Sequence, residues 1–198
     1  MKLHYAGASP FVRKVMICAI LRGLDERIEK VSTNPHQSPA DLLADNPLSR
    51  VPAMVTDSGD TLYDSPVICE YLDTLGDTAP LTPPAGAARI AALKLQALGD
   101  GLMDAAVARR MQSALPQDEA RAAFVARQAG VVQRALDVLE KTDLAGPLEI
   151  GRITVGCALG YLDFRFGHED WRASRPTLAA WWAAAATQRG FAETAPVG

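Results

Sequence analysis

The sequence is short of cysteine, of basic charge and of long apolar runs, and each shortage excludes something. Three cysteines stand far apart in 198 residues, at positions 18, 69 and 157, each in an apolar stretch and with no CxxC pair. An odd number at such spacing argues against a disulfide framework or a zinc site, and favours a reducing compartment. The 20 Lys and Arg are outnumbered by 23 Asp and Glu, for a net charge of −3. Residues 1–76 hold 7 basic and 10 acidic groups and the remainder 13 of each, so neither part is a basic arm. Proteins that live on nucleic acid or anionic lipid carry a basic surplus, so neither partner is expected. No stretch approaches the roughly 20 apolar residues of a membrane span, so no membrane partner is expected. The opening MKLHYAGASPF has no apolar signal-peptide core, and a cytoplasmic protein is expected. His4, His36 and His168 are isolated, and no metal site is expected.

What is present is an ordinary globular composition, 48% apolar and 22% charged, in a chain that fits one large domain or two small ones. Lys2–Ala6 reads as a short strand. Ser9-Pro10 is a cap followed by a proline suited to the first helical position. Val12, Val15, Met16, Ala19 and Ile20 then follow at helical spacing up to Gly23. Arg27–Ser32 alternates as a strand, with Ile28 and Val31 as inward candidates, and Pro39–Ala44 is a short helix. Val51–Thr56 and Thr61–Tyr63, separated by Asp57-Ser58-Gly59-Asp60, predict a hairpin. Asp64-Ser65-Pro66 repeats the cap-then-proline signal and opens a helix running to Gly76. Residues 77–86 shift to Pro, Thr, Gly and Ala, a linker composition. Beyond it, helices are predicted at Ala87–Ala114, Gln117–Lys141, Ile153–Phe166 and Pro176–Arg189. The order is a small α/β domain (1–76), a linker (77–86) and an all-α domain (87–198).

Three features of the first domain can carry chemistry. Ser9 places a hydroxyl among the unpaired N–H groups of a helix start, where the helix dipole is positive. Such a place lowers a thiol pKa, and it is equally an ordinary N-cap. Val51-Pro52 precedes a strand, where proline cannot donate to the ladder. A cis bond, which turns the neighbouring backbone outward, is one reason for it, although X-Pro bonds are mostly trans. At Asp64-Ser65, a hydroxyl and backbone N–H groups suit a carboxylate while the acid suits an ammonium. The pair fits the amino-acid end of a zwitterion, or is simply a capped helix start.

The runs SPFVRKV (9–15), NPLSRVPAMV (46–55) and YDSPVICEYL (63–72) resemble the N-terminal domain of glutathione transferases. GDGLMDA (99–105) and GYLDFRF (160–166) resemble a bacterial YibF-type subgroup of that family. The resemblance implies a thioredoxin-like domain followed by an all-helical domain. It implies glutathione as co-substrate, with Ser9 facing its sulfur and Phe11 beside it, and no metal. Val51 would pair its backbone with the cysteinyl part, Pro52 would be the family's cis-proline, and Arg50 can reach the glycine carboxylate. Asp64 and Ser65 would hold the γ-glutamyl end. Asp104, four residues after Asp100 on the same helix face, would reach the glutathione amine across a homodimer interface, or is a solvated or Arg-paired acid. A hydrophobic electrophile would bind against the helical domain, where Met103, Met111, Arg109 and Arg110 offer an apolar pocket with a cationic edge, or ordinary packing.

The implied activity is transfer of an alkyl or aryl group to the glutathione sulfur. A non-catalytic glutathione-binding or protein-interaction module is the alternative, and dehalogenation or isomerisation on the same fold stays open. Serine in place of cysteine at position 9 argues against a thiol reductase. Tyr5 is a competing hydroxyl, read first as core packing, and the three cysteines are read as core. The helix before GYLDFRF lacks the family's usual Ser/Thr-x-x-Asp capping box: Arg152 and Thr154 stand near its start, and Val155 and Cys157 where the acid belongs.

Overall fold

The computed structural model describes residues 1–76, 78–116 and 118–197. Asp77, the first residue of the expected linker, Gln117, the expected start of a long helix, and Gly198, the end of the expected helical domain, lie outside the described residues. The chain opens with β1 (Lys2–Tyr5), α1 (Pro10–Leu21), β2 (Glu29–Ser32) and α2 (Ala40–Asp45). The hairpin β3 (Ala53–Val55) and β4 (Thr61–Leu62) and helix α3 (Ser65–Leu75) follow. The strands form one sheet in the order β2-β1-β3-β4, with β1 parallel to β2 and the other two pairings antiparallel. This is the thioredoxin-like arrangement. The remainder is helical: α4 (Gly86–Ser113), α5 (Glu119–Glu140), α6 (Ile150–Phe166), α7 (Pro176–Ala185) and α8 (Arg189–Ala192). No helix among the described residues is long and apolar enough to cross a membrane.

Helix α1 explains how the two parts meet. The face expected from periodicity, Val12, Val15, Met16, Ala19 and Ile20, is buried, but so is the opposite face with Arg13, Lys14, Ile17 and Cys18. A helix buried all round lies inside a molecule, not on its surface, and α1 packs against α3 on one side and α4, α6 and α8 on the other. Lys14, 0% exposed, places its Nζ 2.6 Å from Oδ1 of Asp100 on α4. Burial raises the Asp100 pKa even with Lys14 opposing the rise. A buried pair of this kind gives back much of its attraction as desolvation, so it is weak evidence of added stability. Arg13 donates from Nη2 to the Phe191 carbonyl at 3.0 Å and from Nε to Thr194 Oγ1 at 3.2 Å.

Leu81 and Thr82, between α3 and α4, are tied down. The Asp73 carboxylate accepts the N–H groups of Leu81 and Thr82 at 2.9 and 2.8 Å, and the Leu81 carbonyl accepts the Ile150 N–H at 2.9 Å. Helix α6 starts at Ile150, not at the expected Ile153. Glu149 serves as its N-cap: its carboxylate accepts the N–H groups of Gly151 at 2.8 Å and Arg152 at 2.9 Å. An acid thus does locally what the Ser/Thr box does elsewhere. The expected helix 176–189 is two helices, broken at 186–188 so that Phe191 turns inward to 1% exposure.

Asp163 on α6 gathers the end of the chain. Its carboxylate accepts the indole N–H groups of Trp171 at 3.0 Å and Trp182 at 2.7 Å, and both Nη atoms of Arg172 at 2.8 and 2.7 Å. Trp171 and Trp182 are buried, and Trp181 is half-buried. The three cysteines are buried free thiols. A hydrogen bond to Cys69, and then burial, raise the Cys18 pKa, and burial pushes Cys157 up to about 12. Thiols held protonated in this way are poor nucleophiles.

Two glycines test the packing with opposite signs. A Cβ at Gly156 would overlap the buried ring of Phe191, whereas one at the exposed Gly101 meets nothing within 4 Å. Alanine gains about 1 kcal/mol of helix propensity at either place, and overpacking costs about 1–3 kcal/mol. Gly156→Ala is therefore expected to lower stability and Gly101→Ala to raise it, read as opposite shifts of the urea midpoint.

Candidate functional site

Ser9 ends the loop after β1 in an extended conformation (φ −82°, ψ 120°), and Pro10 follows with its φ already helical. The Ser9 N–H donates to the Ala6 carbonyl at 3.0 Å, and its Oγ accepts the Val12 N–H at 3.3 Å. The hydroxyl donates to no protein acceptor among the described residues, so its O–H is available to a ligand. The Phe11 N–H, one of the first-turn donors, has no protein acceptor among the described residues. The mouth of α1 therefore offers two donors and the positive end of a buried helix.

That mouth opens onto a cleft of about 1070 Å³ walled by both halves of the chain. The sheet-bearing half contributes Ser9, Phe11, Arg50 and Val51, and the helical half contributes Asp104, Val107, Ala108 and Met111 from α4 and Tyr161 and Arg165 from α6. Residues 104, 107, 108, 111 and 115 follow helical spacing, so one stripe of α4 and the segment after it faces the cleft. Tyr5 lines the cleft too, half-buried, with Lys30 Nζ 5.7 Å from its ring centre.

The expected site residues divide into two groups. Ser9, Phe11, Arg50, Val51 and Asp104 come together around the cleft, whereas Pro52, Asp64 and Ser65 do not line it. Pro52 is buried behind Val51, and the Val51-Pro52 bond is cis. Asp64 is the exposed N-cap of α3 and Ser65 its buried first residue. The Asp64 charge acts on both Asp100 and Asp104, which places the start of α3 on the same side as these α4 acids. Asp104 keeps part of its surface exposed; desolvation of the rest raises its pKa, against the pull of Arg50 and with the push of Asp64. Asp100, read with Asp104 as one face, is engaged by Lys14 instead.

Sequence reasoning missed Tyr161 and Arg165. They stand four apart on α6, a spacing that puts them on one face, but only the docking of α6 on α1 brings that face to the cleft. Burial raises the Tyr161 pKa, and the charges of Arg165 and Arg110, with a hydrogen bond from Arg165, oppose the rise. No group of three or more His, Cys, Asp or Glu side chains able to hold a metal ion occurs among the described residues.

Residues 8–75 match the family model described as glutathione S-transferase, N-terminal domain. Over 201 residues the chain is 32% identical to the uncharacterized GST-like protein YibF of Escherichia coli strain K12, covering 99% of this chain and 98% of that protein. A glutathione transferase family member from Pseudomonas fluorescens Pf-5, solved with bound glutathione, superposes with a TM-score of 0.93 at 40% identity, over 100% of this chain and 99% of that one. A Pf-5 family member with bound S-(propanoic acid)-glutathione gives 0.90 at 38% identity, over the whole of both chains. With the thioredoxin-like sheet, the helical remainder and near-complete coverage of YibF, the chain belongs to the glutathione transferase family.

Proposed function

We propose that the chain is a glutathione transferase in which Ser9 stabilises the glutathione thiolate for attack on an electrophilic small molecule. The observation that carries this reading is the Ser9 hydroxyl at the mouth of α1, opening on a cleft of about 1070 Å³ built from both halves. Glutathione bound in the Pf-5 relative supports the co-substrate, and its S-(propanoic acid) derivative supports a cleft with room for a sulfur substituent. In this reading residues 1–76 hold the tripeptide. The Val51 backbone pairs with its cysteinyl part, Arg50 faces the glycine carboxylate, and Asp64 and Ser65 clamp the γ-glutamyl end. Residues 87–198 supply the electrophile pocket, and in a homodimer Asp104 reaches the partner's glutathione amine.

The chemistry needs no strong base. The thiol proton leaves to solvent, and the sulfur anion accepts the Ser9 O–H and the Phe11 N–H at the positive helix end. Lowering the thiol pKa by about two units corresponds to about 2.7 kcal/mol. The sulfur lone pair then forms the S–C bond while the leaving-group bond breaks. For conjugate addition, the displaced π electrons instead take up a proton from water. Holding both reactants in one cleft adds a proximity gain.

The test is a spectroscopic titration of the bound thiol alongside turnover of a generic aromatic electrophile. The bound thiol is expected to ionise about two units below free glutathione. A midpoint equal to that in water would remove the thiolate mechanism. Tight binding without turnover would leave a glutathione-binding module.

A further inference from the structure

A segment that no sequence motif marks flanks the approach to Ser9. After α8, residues 193–197 run back past Arg13 to the loop before α1. Thr194 is the anchor: its Oγ1 accepts Nε of the buried Arg13 at 3.2 Å and donates to the Gly190 carbonyl at 2.7 Å. Arg13 stands about one helical turn after Ser9. Further along the segment, the Val197 N–H donates to the Gly7 carbonyl at 3.4 Å, just ahead of Ser9 in the chain. The segment therefore grips the chain on both sides of the serine.

The two grips differ in strength. Arg13 also donates from Nη2 to the Phe191 carbonyl at 3.0 Å, so the Thr194 end belongs to a buried network. The Val197 end has one long hydrogen bond and a side chain left 64% exposed. Backbone with few buried contacts opens locally at little cost. The segment is fixed at one end and lightly seated at the other.

Val197 is seated on a missing side chain. A Cβ on Gly7 would stand 2.8 Å from Cγ2 of Val197 and 3.8 Å from Cε1 of Tyr5. Glycine at this place lets a methyl group and a phenol ring close over one backbone position. Tyr5, Gly7, Ala8, Ser9 and Val197 all line the cleft. An exposed apolar group thus lies over the loop that carries the serine hydroxyl, where the reading above puts the sulfur.

We infer that residues 193–197 form a strap that closes on the substituent carried by the glutathione sulfur, with Val197 gripping it and so favouring apolar electrophiles. The inference rests on the glutathione reading, and adds to it a specificity-determining residue that lies in neither the sheet nor a helix. Covering most of an exposed valine side chain with an alkyl chain is worth about fivefold in affinity.

Calorimetric binding of S-hexylglutathione and S-methylglutathione tests it, since their affinity ratio cancels the shared tripeptide. The hexyl conjugate is expected to bind the wild-type chain more tightly, and Val197→Gly to cut that ratio about fivefold. Val197→Leu supplies another apolar side chain and is expected to keep it. Gly7→Ala, whose added methyl would dislodge Val197, is expected to lower the ratio too. The double variant Gly7→Ala/Val197→Gly should lower it no further than Val197→Gly alone, because the two substitutions break one contact. With both conjugates bound, an unchanged or increased ratio in Val197→Gly overturns the strap and leaves the glutathione reading intact. A wild-type ratio near one does the same. Effects of the two substitutions that simply multiply overturn the seating of Val197 on Gly7. Failure of both conjugates to bind overturns the glutathione reading and the strap with it.

Discussion

Replacing Ser9 by alanine is expected to lower kcat/KM for conjugation about 100-fold, the equivalent of returning the bound thiol two units toward its value in water. The loss comes from the donor to sulfur. The Ser9 oxygen accepts the Val12 N–H, and the hydroxyl, on a residue that lines the cleft, has no protein acceptor among the described residues. The same substitution removes an N-cap and costs about 1 kcal/mol of stability. That is too little to empty the folded state of an ordinary domain, so activity and unfolding report separate quantities. Ser9→Thr keeps both hydroxyl and cap and is expected to retain far more turnover. The pH–rate profile of Ser9→Ala should move to higher pH, toward the titration of free glutathione. Unchanged activity and an unmoved profile would shift the role to another hydroxyl, with Tyr5 in the same cleft the first to examine.

Asp163→Ala is expected to be the most destabilising single change, at about 3–5 kcal/mol. It leaves two indole N–H groups without an acceptor and strips Arg172 of its partner; each orphaned buried donor costs about 1–3 kcal/mol. Desolvation favours protonating Asp163, but the hydrogen bonds from Arg172, Trp171 and Trp182 outweigh it and hold its pKa below the ordinary value. The folded pKa therefore lies below the unfolded one. The stabilisation is fully present above the unfolded value of about 3.9 and is lost as pH falls through the folded value. Urea unfolding of wild type and variant should differ most at neutral pH and converge in acid. A gap that stays constant down to strongly acid pH would show that packing, not the carboxylate, carries the effect.

What could be read from the sequence was local. Ser9-Pro10 and the apolar spacing after it announce α1, the turn at 57–60 announces the hairpin, and the runs around 9, 51 and 64 carry the family resemblance. Each signal depends on a few neighbouring residues and their backbone needs. Contacts formed by docking were not readable. Lys14 looks like a solvent-facing lysine until α4 places Asp100 against it, and nothing near Asp163 announces two tryptophans from 8 and 19 residues onward. Glu149 was missed for another reason: a search for a hydroxyl cap passes over a carboxylate that binds the same N–H groups. The cationic edge was half visible. Arg109 and Arg110 are equivalent in sequence, and only the fold turns one to Glu169 and the other to the cleft.

Helix α1 starts just after Ser9, the residue proposed to face the sulfur, and within five residues it has spent Arg13 and Lys14 on the helical half. Those two side chains seat on Asp100, on the Phe191 carbonyl and on the space that Gly160 leaves open. Chimeras that graft a relative's helices to alter substrate choice will therefore inherit a misaligned nucleophile unless all three positions travel with the graft. Recombination breakpoints are best chosen to keep that keyed set together.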